Sequence, residues 1–244
     1  MGKQKEGNAS DQLPPGGEKA TTQYIPLEDP FYGPAGAFTP VSPRPLRPEL
    51  LHLRGISARN IQEHYKLYLG YVQKTNEIRN LLRTADRSTA NATYSPLRAL
   101  KVEESYATNG VKLHEMFFDS LGGPGGRPGG VIYEAIERNF GSYQFWETDF
   151  KSSGLAVRGW VTLAYDIDDH SLHNYSLDAH NVGVITRMWP VLALDVYEHA
   201  YYLDYGTDRK AYIEAFFQNI NWSFVTMCYQ AATGTLPCNT FGGA

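Results

Sequence analysis

Seven histidines stand in the chain: His52, His64, His114, His170, His173, His180 and His199. Three of them lie among apolar and aromatic neighbours. His64 sits in Ile61-Gln62-Glu63-His64-Tyr65, His114 precedes Met116-Phe117-Phe118, and His199 falls in Leu194-Asp195-Val196-Tyr197-Glu198-His199-Ala200-Tyr201-Tyr202. An imidazole buried without partners costs about 1–3 kcal/mol, so each needs a hydrogen bond or a metal. Taken one at a time, a hydrogen-bonded core histidine is the plainer reading. Asp195 changes the balance, because a carboxylate at the end of an apolar strand is harder still to bury alone. Asp195 and His199, four apart across a strand-to-helix junction, can converge on one point, and mixed imidazole and carboxylate donors suit iron, manganese or zinc. The residues alone leave that choice open.

The elements that must position these groups can be read from the hydrophobic period. Ile61, Tyr65, Tyr68, Leu69, Val72, Ile78, Leu81 and Leu82 repeat at helical spacing over 58–83, with Ser57 as a cap, which predicts a long helix or a helical hairpin. A polar run over 84–93 precedes Pro96, and 97–121 reads as a second helix running into the Gly-Pro loop of 122–130. Short helices are expected at 131–140 and 143–150, with Gly141 and Ser142 as stop and cap. The pattern then changes to strands at 157–165 and 172–177 around the turn Asp166-Ile167-Asp168-Asp169, and a third apolar strand follows at 189–196. Helices return at 208–219 and 222–229. The expected class is α+β, an N-terminal long-helix hairpin domain followed by a C-terminal domain with a three-stranded antiparallel sheet and helices. The expected division is an extended or disordered proline-rich arm over 1–50, the hairpin over 51–125, the α/β metal-binding domain over 126–230 and a tail over 231–244.

Composition narrows the function classes. A formal charge of −4 and a pI near 6.0 give no field that points to nucleic acid or an anionic membrane. No apolar h-region opens the chain and no stretch offers the ~18 continuous apolar residues of a membrane span, which leads us to expect a cytoplasmic protein. Cys228 and Cys238 lack partners at zinc-site spacing and are expected to be inert thiols or a local tail bridge. Nine of the fourteen prolines fall before position 49, in a segment with neither a helical nor a strand period.

The dozen residues from Leu194 to Tyr205 closely resemble the signature of iron/manganese superoxide dismutases, with Tyr197 where most members have Trp. The likeness continues through Arg209, Tyr212-Ile213-Glu214-Ala215-Phe216-Phe217 and Asn219-Ile220-Asn221-Trp222, and back through Glu134-Ala135-Ile136 and Phe140-Gly141-Ser142-Tyr143. It covers about residues 55–229. The resemblance implies that His64, His114, Asp195 and His199 ligate one manganese or iron ion, with a slight lean to manganese, and that a bound solvent is the fifth ligand. It implies superoxide as substrate, dioxygen and hydrogen peroxide as products, and a homodimer or a higher oligomer.

The same likeness assigns surrounding roles. His180 matches the position from which a side chain contacts the bound solvent, and Gly110 marks the other place from which that contact can come. Tyr71 matches the gateway tyrosine, although it follows His64 by seven residues instead of eight, and Leu67, Tyr68 and Leu69 replace the usual histidine pair. Tyr68 is therefore a candidate to stand in for the lost group. Trp160 is expected to wall the pocket, whereas Thr162 stands where a second Trp is common. Glu198 and Tyr202 are expected to cross a two-fold interface toward the partner's ligand histidines, although a solvated helix-terminal acid is the plainer reading of Glu198. Two other readings are a metal-binding member with a structural or interaction role and metal-assisted hydrolysis, but the sequence offers no clear general base for the latter.

Overall fold

The computed structural model describes residues 38–235. Helix α1 (Ala58–Thr84) begins where Ser57 accepts a hydrogen bond from the Asn60 amide, and α2 (Pro96–Asp119) begins at the equivalent Ser95 cap with proline in its first turn. The two pack against each other as the expected hairpin. Next come α3 (Gly130–Phe140), α4 (Tyr143–Ala156) and the strands β1 (Trp160–Asp166), β2 (Ser171–Leu177) and β3 (Met188–Asp195). A 3-10 turn at Glu198–Ala200, a single turn α5 (Tyr202–Tyr205), α6 (Arg209–Phe217) and α7 (Trp222–Ala232) follow within the described residues.

The sheet has the order β2-β1-β3, antiparallel throughout. Central β1 is buried along almost its whole length, which is why Trp-Val-Thr-Leu-Ala-Tyr reads as a continuous apolar run and not as an alternation. Helices α3 and α4 pack on its β1 and β2 side, while α2 and α7 pack on β3. One hydrophobic core runs from Leu50 through the hairpin and the sheet to Cys228, and Trp146, Trp160, Tyr212, Phe117, Phe150 and Phe216 are fully enclosed in it.

Three boundaries move by three residues or more. Helix α4 runs six residues past the expected end at 150, so β1 starts at Trp160 and not at 157. Lys151-Ser152-Ser153-Gly154 looks like a helix stop, yet Gly154 is helical and buried. A Cβ there would lie 3.0 Å from Ile213 Cδ1 and 3.3 Å from Leu194 Cδ2, so the glycine lets α4 lie close to α6 and β3. Helix α7 likewise continues three residues beyond the expected end at 229.

The last part of the proline-rich segment is ordered against the hairpin. Val41 exchanges both backbone groups with the Asn76 side chain, Arg44 pairs with Glu115 and Asp119, and Arg47 donates to the carbonyls of Phe118 and Leu121. Pro48 opens a short 3-10 turn whose Leu50 is buried in the core. The thiol of Cys228 is free, buried and pushed up to about 12 by desolvation, which fits the expected inert thiol. Cys238, and with it the alternative of a tail bridge, lies outside the described residues, as do the prolines before residue 38.

The glycine loop after α2 is stitched to the turn between α6 and α7. Gly123 and Gly125 donate backbone N–H groups to Asn219 and Ile220, and the Asn221 amide donates to Ser120. The Asn219 side chain closes on both backbone groups of Arg54. A Cβ on Gly123 would stand 2.4 Å from both Asn221 Cα and the Ile220 carbonyl oxygen. Gly123→Ala is therefore expected to lower stability by about 1–3 kcal/mol in denaturant unfolding. Gly70→Ala, on the exposed face of α1 where a Cβ meets nothing within 4 Å, is expected to raise it by about 0.5–1 kcal/mol. Equal stability of the two variants would contradict the stitch.

Candidate metal centre

Four elements deliver four side chains to one place. His64 comes from the second turn of α1, His114 from the end of α2, Asp195 from the last position of β3 and His199 from the 3-10 turn that follows. One donor atom from each lies within 4.8 Å of the others, and among the described residues this is the one such group that could hold a metal ion. Asp195 Oδ2 is 3.1 Å from His64 Nε2, 3.2 Å from His199 Nε2 and 3.7 Å from His114 Nε2. The side chains of His64, His114 and Asp195 have no exposed area, whereas that of His199 is 25% exposed.

Two of the donors are aimed by a second bond. Asp195 Oδ1 accepts the Tyr197 amide at 2.9 Å, which turns Oδ2 toward the histidines, and its backbone carbonyl accepts the Tyr212 hydroxyl at 2.8 Å. His114 Nδ1–H donates to the Gly110 carbonyl at 2.7 Å, which leaves a lone pair on Nε2. Asn60 donates to the Ala200 carbonyl at 2.6 Å and ties the start of α1 to the turn that carries His199.

Electrostatics agrees with the geometry. Burial lowers His64 despite its bond to Asp195, and burial together with the neighbouring His64 holds His114 well below the usual imidazole range. Burial alone would raise Asp195, but the imidazoles of His199 and His64 outweigh it and hold the carboxyl below its usual range. For His199 burial is overcome by the Asp195 carboxylate, and its pKa rises. The site thus joins one anion to imidazoles whose buried members favour the neutral form. The test of fit is His114 Nε2, a fully buried lone pair that finds no hydrogen-bond partner. A cation satisfies it, and three imidazoles with one carboxylate are the donor set that iron or manganese accepts.

A wall of aromatic side chains surrounds these donors. Trp160 is buried with its ring 5.1 Å from that of His114, and it lies opposite Asp195 in the sheet register. Its indole N–H donates to His180 Nδ1 at 2.9 Å. Indole is a donor only, so this bond fixes the His180 proton on Nε2, where it is buried and has no partner. Desolvation lowers the His180 pKa to about 4, so the ring is neutral. His180 is therefore not the surface loop residue that its polar neighbours allow. Its carbonyl is held by Asn109, and its ring touches Tyr71, Tyr106, His114 and Tyr197.

Tyr71 packs against His114 and His180 at 5.2 and 4.8 Å between ring centroids. Its ring fills the space over Gly110, where a Cβ would lie 2.8 Å from Tyr71 Cδ1. Tyr68 does not stand in for the lost histidine. Its hydroxyl donates to Glu115 and accepts the Arg44 amide, so it anchors the incoming segment, while Leu67 and Leu69 point outward. Thr162 is buried with its hydroxyl unpartnered. Tyr197 stacks on His199 at 5.3 Å and 14°, filling the place of the more usual Trp. Glu198 is exposed in the single chain, as are Tyr202 and Leu203 at 52% and 51%. Sequence reasoning missed Tyr106, Asn109, Asn60 and the role of Tyr212. Tyr106 could have been found, since it stands two helical repeats before His114 with Gly110 between them.

Comparison with known proteins places this geometry. The family described as iron/manganese superoxide dismutases, C-terminal domain, matches residues 128–228. Superoxide dismutase [Fe] of Aquifex aeolicus is 43% identical over 193 residues, covering 77% of this chain and 89% of the relative. Superoxide dismutase [Fe] of Cupriavidus metallidurans is 43% identical over 78% of this chain and 96% of its own length. Superoxide dismutase [Mn] 1 of Halobacterium salinarum is 33% identical over 69% and 84%. With such identity over most of both chains, and with the hairpin and three-stranded sheet in place, this chain belongs to the iron/manganese superoxide dismutase family.

Proposed function

We propose that the chain disproportionates superoxide at the centre formed by His64, His114, Asp195 and His199, which hold one iron or manganese ion. The observation that carries this reading is the convergence of four donors from distant segments around a buried, unpartnered His114 Nε2. Two superoxide anions and two protons give dioxygen and hydrogen peroxide, one superoxide being oxidised and the other reduced. A bound iron or manganese ion supplies the +2/+3 couple for these one-electron exchanges. Asp195 contributes a single negative charge among imidazoles, so the centre stays positive in either state and attracts an anionic substrate. Trp160 excludes water and fixes the tautomer of His180, whose Nε2–H is a ready donor. Burial raises the pKa of Tyr71 and keeps its hydroxyl protonated as a second donor.

The finer choice of metal is a lean to manganese on sequence grounds, which gains no support from relatives named for iron at 43% identity and for manganese at 33%. Elemental analysis after expression with each metal decides it. Among the described residues no helix is long and apolar enough to cross a membrane. The sparse cysteines support a cytoplasmic location. We further propose a homodimer built on Glu198 and Tyr202. Exposed Tyr202 and Leu203 form an apolar patch beside Glu198, whose carboxylate makes no hydrogen bond or ion pair among the described residues, and the partly exposed His199 ring lies next to it. In a two-fold pair each Glu198 accepts from the other subunit's His199.

Three outcomes are expected. His114→Ala or Asp195→Ala loses stoichiometric metal and dismutation while the far-ultraviolet circular dichroism stays helical, and stability falls by about 1.4 kcal/mol for each tenfold excess of metal over its dissociation constant. A metal-replete His114→Ala protein removes that residue from the ligand set. His180→Gln keeps the metal but shifts the midpoint potential and changes turnover by about 10-fold or more; unchanged values would leave His180 without a role. Glu198→Ala weakens the dimer by about 2–5 kcal/mol and lowers metal retention with it. Sedimentation with metal analysis over a dilution series reads both, and a mutant as dimeric and as metallated as its parent rules the bridge out.

A further inference from the structure

The proline-rich stretch before the hairpin has no part in the proposed chemistry, yet Arg44 within it is bonded at the turns that carry two of the proposed ligands. Prolines at 40, 43, 45 and 48 fix φ and favour extended backbone, so less entropy is lost when this stretch is laid on the hairpin. Arg44 stands between Pro43 and Pro45, and both its backbone and its side chain are engaged. Its N–H donates to the Tyr68 hydroxyl at 2.8 Å and its carbonyl accepts the Tyr65 hydroxyl at 2.7 Å, both on α1. Its guanidinium pairs with Glu115 at 3.2 Å and Asp119 at 2.8 Å, both on α2. The Tyr68 hydroxyl donates in turn to Glu115 at 2.8 Å. One residue is thus tied to α1 one and four positions after His64, and to α2 one and five positions after His114.

We propose that Arg44 is a positioning residue for the metal centre, and that residues 41–47 form a strap that holds α1 and α2 at the separation at which His64 and His114 share one ion. Glu115 and Asp119 lie one turn apart on α2, where two carboxylates repel, and Arg44 is the cation that pairs with both. Behind this layer lies Phe118. Its ring is 5.3 Å from that of His64, 6.4 Å from that of His114 and 6.2 Å from that of Tyr68. Spreading of the helices at Arg44 therefore displaces the ring against which both ligands pack. Arg47 fastens the same place from the end of α2, donating to the carbonyls of Phe118 and Leu121 at 2.8 and 2.9 Å where a helix runs out of its own donors. The space left among the strap, Tyr65, Tyr68 and Phe118 is about 20 Å³, room for one water, so the strap is seated on the hairpin.

This inference rests on the ligand assignment proposed above and needs no dismutation. The test is release of iron or manganese from the metal-loaded protein to a chelator, followed together with the visible absorption band of the metal. Arg44→Ala is expected to release metal about tenfold faster and to shift the band, while Arg44→Lys, which keeps the charge but not the fork, falls between it and the parent. Tyr68→Phe keeps the buried ring and removes the hydroxyl shared by the Arg44 amide and Glu115. It is expected to speed release about threefold, and it carries the test if Arg44→Ala does not fold. The control is Lys151→Ala, since Lys151 also pairs with two carboxylates, Glu147 and Glu214, but joins α4 to α6, away from the hairpin. It is expected to lower the melting temperature while metal release stays within about 1.5-fold of the parent and the band does not move. Parent-like release in Arg44→Ala and Tyr68→Phe overturns the strap. So does equal acceleration in Lys151→Ala, which would make the effect one of global stability. A parent that takes up no stoichiometric metal overturns the ligand assignment, and the strap falls with it.

Discussion

The fold is organised around one charged group that has no contact with water. Asp195 ends a strand whose five last residues are all fully buried, and its carboxylate stands in the core beside three imidazoles. Desolvating a carboxylate costs several kcal/mol, which only close opposite charge and directed hydrogen bonds can offset. Everything around Asp195 serves that requirement: the Tyr197 amide on one oxygen, His64 and His199 on the other, and the Tyr212 hydroxyl on its backbone. The long hairpin is what brings His64 and His114 there, and the sheet register is what sets Trp160 opposite.

Residue type carried far in reading this chain. A buried carboxylate four residues before a histidine pointed to a cation, the full set of candidate donors came only with the resemblance to a known family, and the change of period from helix to strand gave the α+β class. What could not be read was which face of an element a residue would occupy. Tyr68 and Tyr71 are three apart on one helix and both are tyrosines, yet one hydroxyl bonds Glu115 and the incoming backbone while the other ring covers Gly110 beside His114. Their fates depend on the partner helix and on a segment before the hairpin, neither of which a local pattern contains. His180 is similar. Its neighbours Asp178, Ala179 and Asn181 read as a polar turn, and only Trp160, twenty residues earlier on β1, explains why the ring turns inward.

Glycine misled in one place and informed in another. At Gly154 it resembled a helix end, whereas its role is close packing of α4 on α6 and β3. In the run from 122 to 130 it did mark a loop, but the reason lies about a hundred residues later, where the α6–α7 turn approaches too closely for any side chain at Gly123. Small residues of this kind encode contacts and not conformations, so composition alone cannot separate the two uses.

The tie between Asn60 and Ala200 spans 140 residues of chain, and that between Asn219 and Arg54 spans 165. Contacts of such sequence separation form late in folding, because the entropy of closing the intervening chain must be met before they give anything back. The hairpin can fold on its local contacts and the three strands can pair in sequence, but neither half owns a complete set of donors. Until these long closures form, His64 and His114 belong to one folding unit and Asp195 and His199 to another. The candidate metal centre is thus a property of the finished topology.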